Sequence, residues 1–220
     1  MTAFPRSIAD ALVAELRAAI IAGEFRPGQR LTIDQLSERF EVSATPVRTA
    51  LAQLNAEGLV RTEPHRGATV SLLTAEDVRD IFEVRINLEV MATRLAVPRM
   101  RERDLAELDR LAREISATEN LATDVELNNE FHLRLYQPCN RPYLLQLIEQ
   151  SRLRVQHYMR WFAIDHGQLK VAHDEHHEIV ACCRRGDAEA AAQRVEQHIR
   201  AVVAHVVAGA AELAASEAVS

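Results

Sequence analysis

A chain of 220 residues that is 48% hydrophobic can build two modest domains with real cores, and no stretch approaches the roughly 20 uninterrupted apolar residues of a membrane-spanning helix. The start, MTAFPRSIADAL, lacks the basic segment and apolar run of a secretory signal, and three cysteines (Cys139 and the adjacent Cys182 and Cys183) do not make a disulfide framework, so a cytoplasmic protein is expected. The net charge of −6 is uneven: residues 1–72 carry eight Arg, no Lys and eight acidic residues, so all of the acidity belongs to residues 73–220. A neutral first part is compatible with DNA binding only if its arginines share a face.

In chain order, Ile8, Leu12, Leu16 and Ile20 recur at four-residue spacing and predict a first helix ended by Gly23. Phe25 to Gly28 reads as a turn, and a short second helix follows Thr32 with Leu36 and Phe40 inward. Ser43 is placed to cap a third helix, with Pro46 in its first turn and Val47, Leu51 and Leu54 on its buried side. After Gly58, the alternating runs Leu59–Glu63 and Ala68–Leu72 flank Pro64-His65-Arg66-Gly67, the tip of a hairpin. Three helices and a hairpin predict a winged helix-turn-helix over residues 1–72.

From Thr74 onward the strand signals stop. Thr74 and Asp77 form a capping-box pattern that opens a helix carrying Ile81, Val84, Leu88 and Met91 and ending near Pro98. Further helices are expected at about 101–118, 123–137, 142–161, 168–185 and 187–216, broken at Pro138 with Asn140, at His166-Gly167 and at Gly186-Asp187. The fold class is therefore mainly α, with the winged helix-turn-helix followed by an antiparallel all-helical bundle of about six helices over residues 73–220.

The reading helix of a helix-turn-helix enters the major groove with its N-terminal residues at the base edges. With Val47, Leu51 and Leu54 inward, Ser43, Thr45, Arg48 and Thr49 point outward beside the free N–H groups of the helix start. On the hairpin, His65 and Arg66 can reach the DNA backbone or minor groove, and Gly67 allows a close approach. The runs GEFRPGQRL, LSERFEVSATPVRTALAQLNAEGLV and PHRGATV, across residues 5–72, resemble the GntR-type winged-helix domain. Two positions depart from its usual pattern. Ala44 stands where an arginine commonly reads a base, which removes a contact worth roughly 1–3 kcal/mol of discrimination, and Asp34 stands where a basic residue or glutamate is usual.

Eight of the nine histidines lie in the second part. Asn128 and His132 are four apart and share a helix face with Leu135, beside Phe131, so that face turns toward the bundle core. His176 and His198 belong to the next-to-last and last helices, and side chains from three facing helices could meet around a divalent metal. Residues 74–210 resemble the FCD ligand-binding domain of the FadR subfamily of GntR regulators through VRINLEVMATRLA, NNEFH and EHHEIVACCRRGDAEAAAQRVEQHI. That resemblance implies metal ligands at Asn128, His132, His176 and His198, with zinc expected and nickel or manganese possible, and a neutral amide where aspartate is commoner. It also implies effector contacts from Arg85 and Trp161, with Arg152 and Arg154 as further candidates, and His173, His177 and His205 as neighbours rather than ligands. A helical salt bridge to Glu89 is the alternative role of Arg85.

The expectation is a homodimeric repressor that binds palindromic double-stranded operator DNA and answers to a small carboxylate. Two alternatives stand beside it: a metal-dependent hydrolase using Glu130, Glu175 or Glu178 as base, and a regulator whose bundle only dimerises.

Overall fold

The computed structural model describes residues 7–63, 67–166 and 169–217, with the side chains of residues 63, 121–122, 157–173, 205 and 212–217 outside the described set. The backbone divides into two compact units, residues 1–72 and 73–220.

The first unit opens with α1 (Ile8–Ile21), closed at its start by reciprocal hydrogen bonds between Ser7 and Asp10. Leu12, Leu16 and Ile20 are buried as their spacing predicts, joined by Val13 and Ala19, whereas Ile8 at the helix start is exposed. Strand β1 (Arg30–Leu31) precedes α2 (Ile33–Arg39), which Thr32 caps through the Gln35 N–H. Leu36 is buried and Phe40 only half-buried, with the Arg39 guanidinium 5.4 Å from its ring centre. Helix α3 (Ala44–Ala56) buries Val47, Ala50, Leu51 and Leu54.

Strands β2 (Val60–Glu63) and β3 (Gly67–Val70) form the expected hairpin, but the sheet has three strands in the order β1-β3-β2, all antiparallel. A strand of two residues has no alternation to read, and β1 exists because Leu31 pairs with Ala68. Gly67 is paired with Glu63 and so opens β3 instead of lying in the tip. Its φ is +90°, and a Cβ there would fall 2.7 Å from the Leu31 carbonyl oxygen, so glycine is required by the approach of β1.

The second unit is all helical: α4 (Ala75–Ala96), α5 (Glu102–Ala117), α6 (Leu121–Tyr136), α7 (Pro142–His166), α8 (Leu169–Arg184) and α9 (Ala188–Glu217). Its breaks fall at prolines and turn residues. Pro98 starts a 3-10 turn after α4, Pro138 another after α6 that Asn140 ends in the left-handed region, and Gly186 at φ +69° separates α8 from α9. Thr74 and Asp77 cap α4 reciprocally. The core gathers Phe82, Leu108, Leu111, Phe131, Leu135, Ile148, Ile179, Val195 and Ile199, each contributing about 1.5–3 kcal/mol by leaving water.

The apolar residues of α4 do not mark its core face. Val84 is 54% exposed and Met91 51%, with Ile81 and Leu88 half-buried. The buried row is Val78, Phe82, Arg85, Ile86, Glu89, Val90, Thr93 and Ala96. Two charged residues, Arg85 and Glu89, go inside as an ion pair that Arg152 completes, and the buried row is turned away from the apparent apolar stripe.

Candidate nucleic-acid interface and candidate metal centre

Helix α3 is held on its inner side by apolar packing and at its end by Arg17 of α1. The Arg17 guanidinium donates to both carboxylate oxygens of Glu57 at 2.9 and 2.6 Å. The Asn55 side-chain oxygen accepts the Thr62 N–H at 3.0 Å, which ties the helix to β2. On the outer side Ser43, Thr45, Arg48 and Thr49 are all exposed, and the Thr49 hydroxyl donates to the Thr45 carbonyl at 3.2 Å. No ion pair involves Arg48 among the described residues. Ser43 occupies the cap position in extended backbone but makes no side-chain capping bond, so its hydroxyl and the first amides of α3 remain available to an anion. His65 and Arg66 lie outside the described residues. Gly67, expected to free the tip for a ligand, instead accommodates the Leu31 carbonyl.

In the second unit, α6, α8 and α9 bring His132, His176 and His198 together, with their donor atoms within 4.8 Å of one another and all three rings buried. Nε2 of His132 lies 3.2 Å from Nε2 of His198, and Nε2 of His176 lies 3.0 Å from Oδ1 of Asn128. Phe131 packs edge-on against His176 with ring centres 4.7 Å apart, closing the apolar side. His177 is exposed and near the Ser116 hydroxyl, on the far side of its helix turn from the cluster. The side chains of His173 and His205 lie outside the described residues.

The outer nitrogens of two rings are committed. Nδ1 of His198 is 2.7 Å from Oε2 of Glu175, and Nδ1 of His132 is 3.1 Å from the Tyr136 hydroxyl. The bond from His198 holds the Glu175 carboxyl below its ordinary range despite partial burial. Burial, with Arg152 and the neighbouring imidazoles, pushes His132 well below its ordinary value and keeps it neutral. Three imidazole nitrogens and one amide oxygen therefore converge, and this donor set suits a borderline divalent ion such as zinc or nickel better than manganese.

Beside the imidazoles is a buried charge cluster that sequence reasoning saw only in part. Arg85 Nε donates to Glu89 Oε1 at 2.8 Å, and Arg152 Nη1 donates to Glu89 Oε2 at 3.0 Å. Arg85, Glu89 and Arg152 are 6%, 0% and 8% exposed. Arg152 Nε also donates to Asn129 at 3.2 Å, while Arg154, the other candidate, faces solvent. Burial alone would raise the Glu89 carboxyl, yet the two guanidiniums and the Tyr136 hydroxyl hold it below its usual range. Burial also raises the Tyr136 hydroxyl well above its ordinary value, so it stays a donor. The Trp161 side chain lies outside the described residues. From sequence Glu89 is expected only as the helical ion-pair partner of Arg85, a pairing the structure shows, and Glu175 only as a catalytic base, while Tyr136 is not assigned to the site. A charged residue inside the row Val78, Phe82, Ile86, Val90 was the available signal for Glu89.

Of the three carboxylates considered as catalytic bases, Glu175 binds the outward nitrogen of His198. Glu130 pairs with Arg134 at 3.2 Å and Glu178 with Arg194 at 2.9 Å, in exposed surface contacts. None is directed at the space between the Nε2 atoms.

Comparison with known proteins agrees with this division. Residues 8–70 match the family described as bacterial regulatory proteins, gntR family, and residues 80–201 match the FCD domain. The chain is 32% identical over 190 residues to the HTH-type transcriptional regulator YdhC of Bacillus subtilis, covering 84% of each protein. It is 30% identical over 181 residues to the HTH-type transcriptional regulator McbR of Escherichia coli, covering 80% of this chain and 81% of that one. It is 29% identical over 196 residues to the E. coli HTH-type transcriptional repressor GlaR, covering 84% and 89%. The solved structure of E. coli McbR/YncC superposes with a TM-score of 0.80 at 25% identity, over 92% of this chain and 98% of that one. These relatives are regulators and not enzymes, and the two matched segments together account for both units. The chain belongs to the GntR family of bacterial transcription regulators, in the group whose second domain is an FCD domain.

Proposed function

We propose that this DNA-binding regulator reads its operator through the outer face of α3 and answers to a small carboxylate bound beside a divalent metal in the helical domain. Ser43 and the first amides of α3 hold a phosphate, while Thr45, Arg48 and Thr49 address the major groove. His65 and Arg66, at the turn between β2 and β3, are the residues assigned to the adjacent backbone or minor groove. Two copies of the chain bind a palindromic site as a homodimer in the cytoplasm, and ligand relieves repression. One relative, GlaR, bears the name of a repressor, which favours that sign.

Asn128, His132, His176 and His198 would hold the metal, zinc by preference. When bound, the metal supplies Lewis-acid positions at which a carboxylate oxygen can sit. All four protein donors are neutral, so an added anion placed directly on the ion is favoured. Arg85 and Arg152 receive the remainder of the effector, and Trp161 is the aromatic residue assigned to it.

The observation that carries the DNA reading is the exposure of Thr45, Arg48 and Thr49 on one face of a helix whose start is left uncapped. Titration of the purified chain with labelled DNA from upstream of its own gene tests it. Binding that weakens steeply with salt and is lost in Arg48→Ala is expected, and failure to bind any upstream fragment at moderate salt contradicts the assignment. Elemental analysis of the wild type against His132→Ala tests the metal, because equal metal content would remove it from the histidines.

A further inference from the structure

The nitrogen of His132 that faces away from the cluster is anchored by a chain of buried groups with a fixed direction. Glu89 is ionised and can only accept, so the Tyr136 O–H, 2.7 Å away, donates to it. The Tyr136 oxygen is then left to accept from His132 Nδ1–H at 3.1 Å. A proton on Nδ1 leaves Nε2 of this neutral ring with a bare lone pair. Glu175 likewise requires a proton on Nδ1 of His198, because a carboxylate 2.7 Å away can only accept there and so leaves Nε2 as the inward nitrogen. The two Nε2 atoms then face each other across 3.2 Å, an arrangement that a shared cation satisfies.

We infer that Tyr136 with Glu89, and independently Glu175, are the metal-positioning residues of this chain: they fix which nitrogen of His132 and of His198 points inward. This rests on the reading of the histidines as metal ligands. It also bears on the neutral Asn128, since a negative charge missing from the ligands stands one hydrogen bond behind His198, in Glu175. Glu89 has a second duty, as both of its oxygens take guanidinium protons from Arg85 and Arg152. The metal-facing ring of His132 and the arginine pair are therefore joined through a single carboxylate. Partners of this type commonly change metal affinity by about 10–100-fold when removed.

The test is a cobalt(II) titration of the full-length chain, followed by visible absorption, with zinc competition for relative affinity. Tyr136→Phe deletes only the hydroxyl and Glu175→Gln only the charge at a partly exposed position, while Glu178→Gln changes an exposed acid outside the cluster. Both Tyr136→Phe and Glu175→Gln should lose about 10–100-fold in metal affinity and change the cobalt band pattern, with Glu178→Gln unchanged. Thermal melts of the metal-free proteins separate this from unfolding, and if Tyr136→Phe does not fold, Glu175→Gln still decides. Wild-type affinity and spectrum in folded Glu175→Gln and Tyr136→Phe would overturn the positioning role. A wild-type chain that takes up no cobalt or zinc would instead overturn the metal reading on which it stands.

Discussion

The two units place their polar chemistry on opposite sides of their surfaces. Among the described residues, the first unit buries no charged or titratable side chain, and its candidate contacts, Ser43, Thr45, Arg48 and Thr49, all lie in solvent. The second unit buries Arg85, Glu89, Asp124, His132, Arg152, His176 and His198. A surface that meets a long, charged duplex needs a rigid apolar interior and an open polar face. A site that meets a small ion needs the reverse, with polar groups taken out of water and therefore matched one to another. Substitutions of polar residues should accordingly disturb recognition in the first unit and stability in the second.

The sharpest break of that contrast is Glu89→Ala. It strands Arg85 and Arg152 in the interior with no counter-charge, which should cost about 3–5 kcal/mol in urea unfolding of the metal-free chain. A cost below about 1 kcal/mol would mean that the cluster relaxes to water and that the second unit is not closed as described. The next effect is expected from Gly67→Ala, where a side chain must be fitted at φ +90° against the Leu31 carbonyl. About 1–3 kcal/mol should be lost from the first unit, read as weakened DNA binding with undiminished metal content.

Arg48→Ala has no packing to lose. Its stability should stay within about 0.5 kcal/mol of wild type, while operator affinity falls by about 1–3 kcal/mol, a loss of roughly 5–150-fold in anisotropy titrations. The smallest effect concerns pH. His132 is held below its ordinary value, so the unfolded chain binds a proton that the folded chain refuses. Stability of the metal-free protein should therefore be full above the unfolded value of about 6.5 and decline as pH falls below it, by no more than about 1.4 kcal/mol per pH unit for this group. Thermal melts between neutral and mildly acid pH check the sign, and His132→Asn should flatten the slope.

Much of this organisation is legible in the sequence because its punctuation is local. Thr74 with Asp77, Pro98, Pro138 with Asn140, and Gly186 fix helix ends by backbone chemistry that needs no knowledge of the fold. Helix geometry allows His132, His176 and His198 to meet but does not select them, since spacing alone does not say that three helices meet at one depth; the resemblance is what singles them out. What stayed hidden depends on tertiary contact. Strand β1 is two residues long and exists by pairing with β3. Arg85 and Glu89 look like a solvated helical ion pair, and their burial is decided by Arg152, 63 positions from Glu89 in the chain. For the same reason the core face of α4 was misplaced toward Val84 and Met91, because apolar periodicity cannot register a charged pair that goes inside.

The most direct measurement is operator binding by wild type, Arg48→Ala and His176→Ala, with metal content and unfolding followed on the same samples. The account predicts that Arg48→Ala loses DNA affinity while keeping metal and stability, and that His176→Ala loses metal while its first unit still binds DNA. Equal operator affinity in wild type and Arg48→Ala would contradict it.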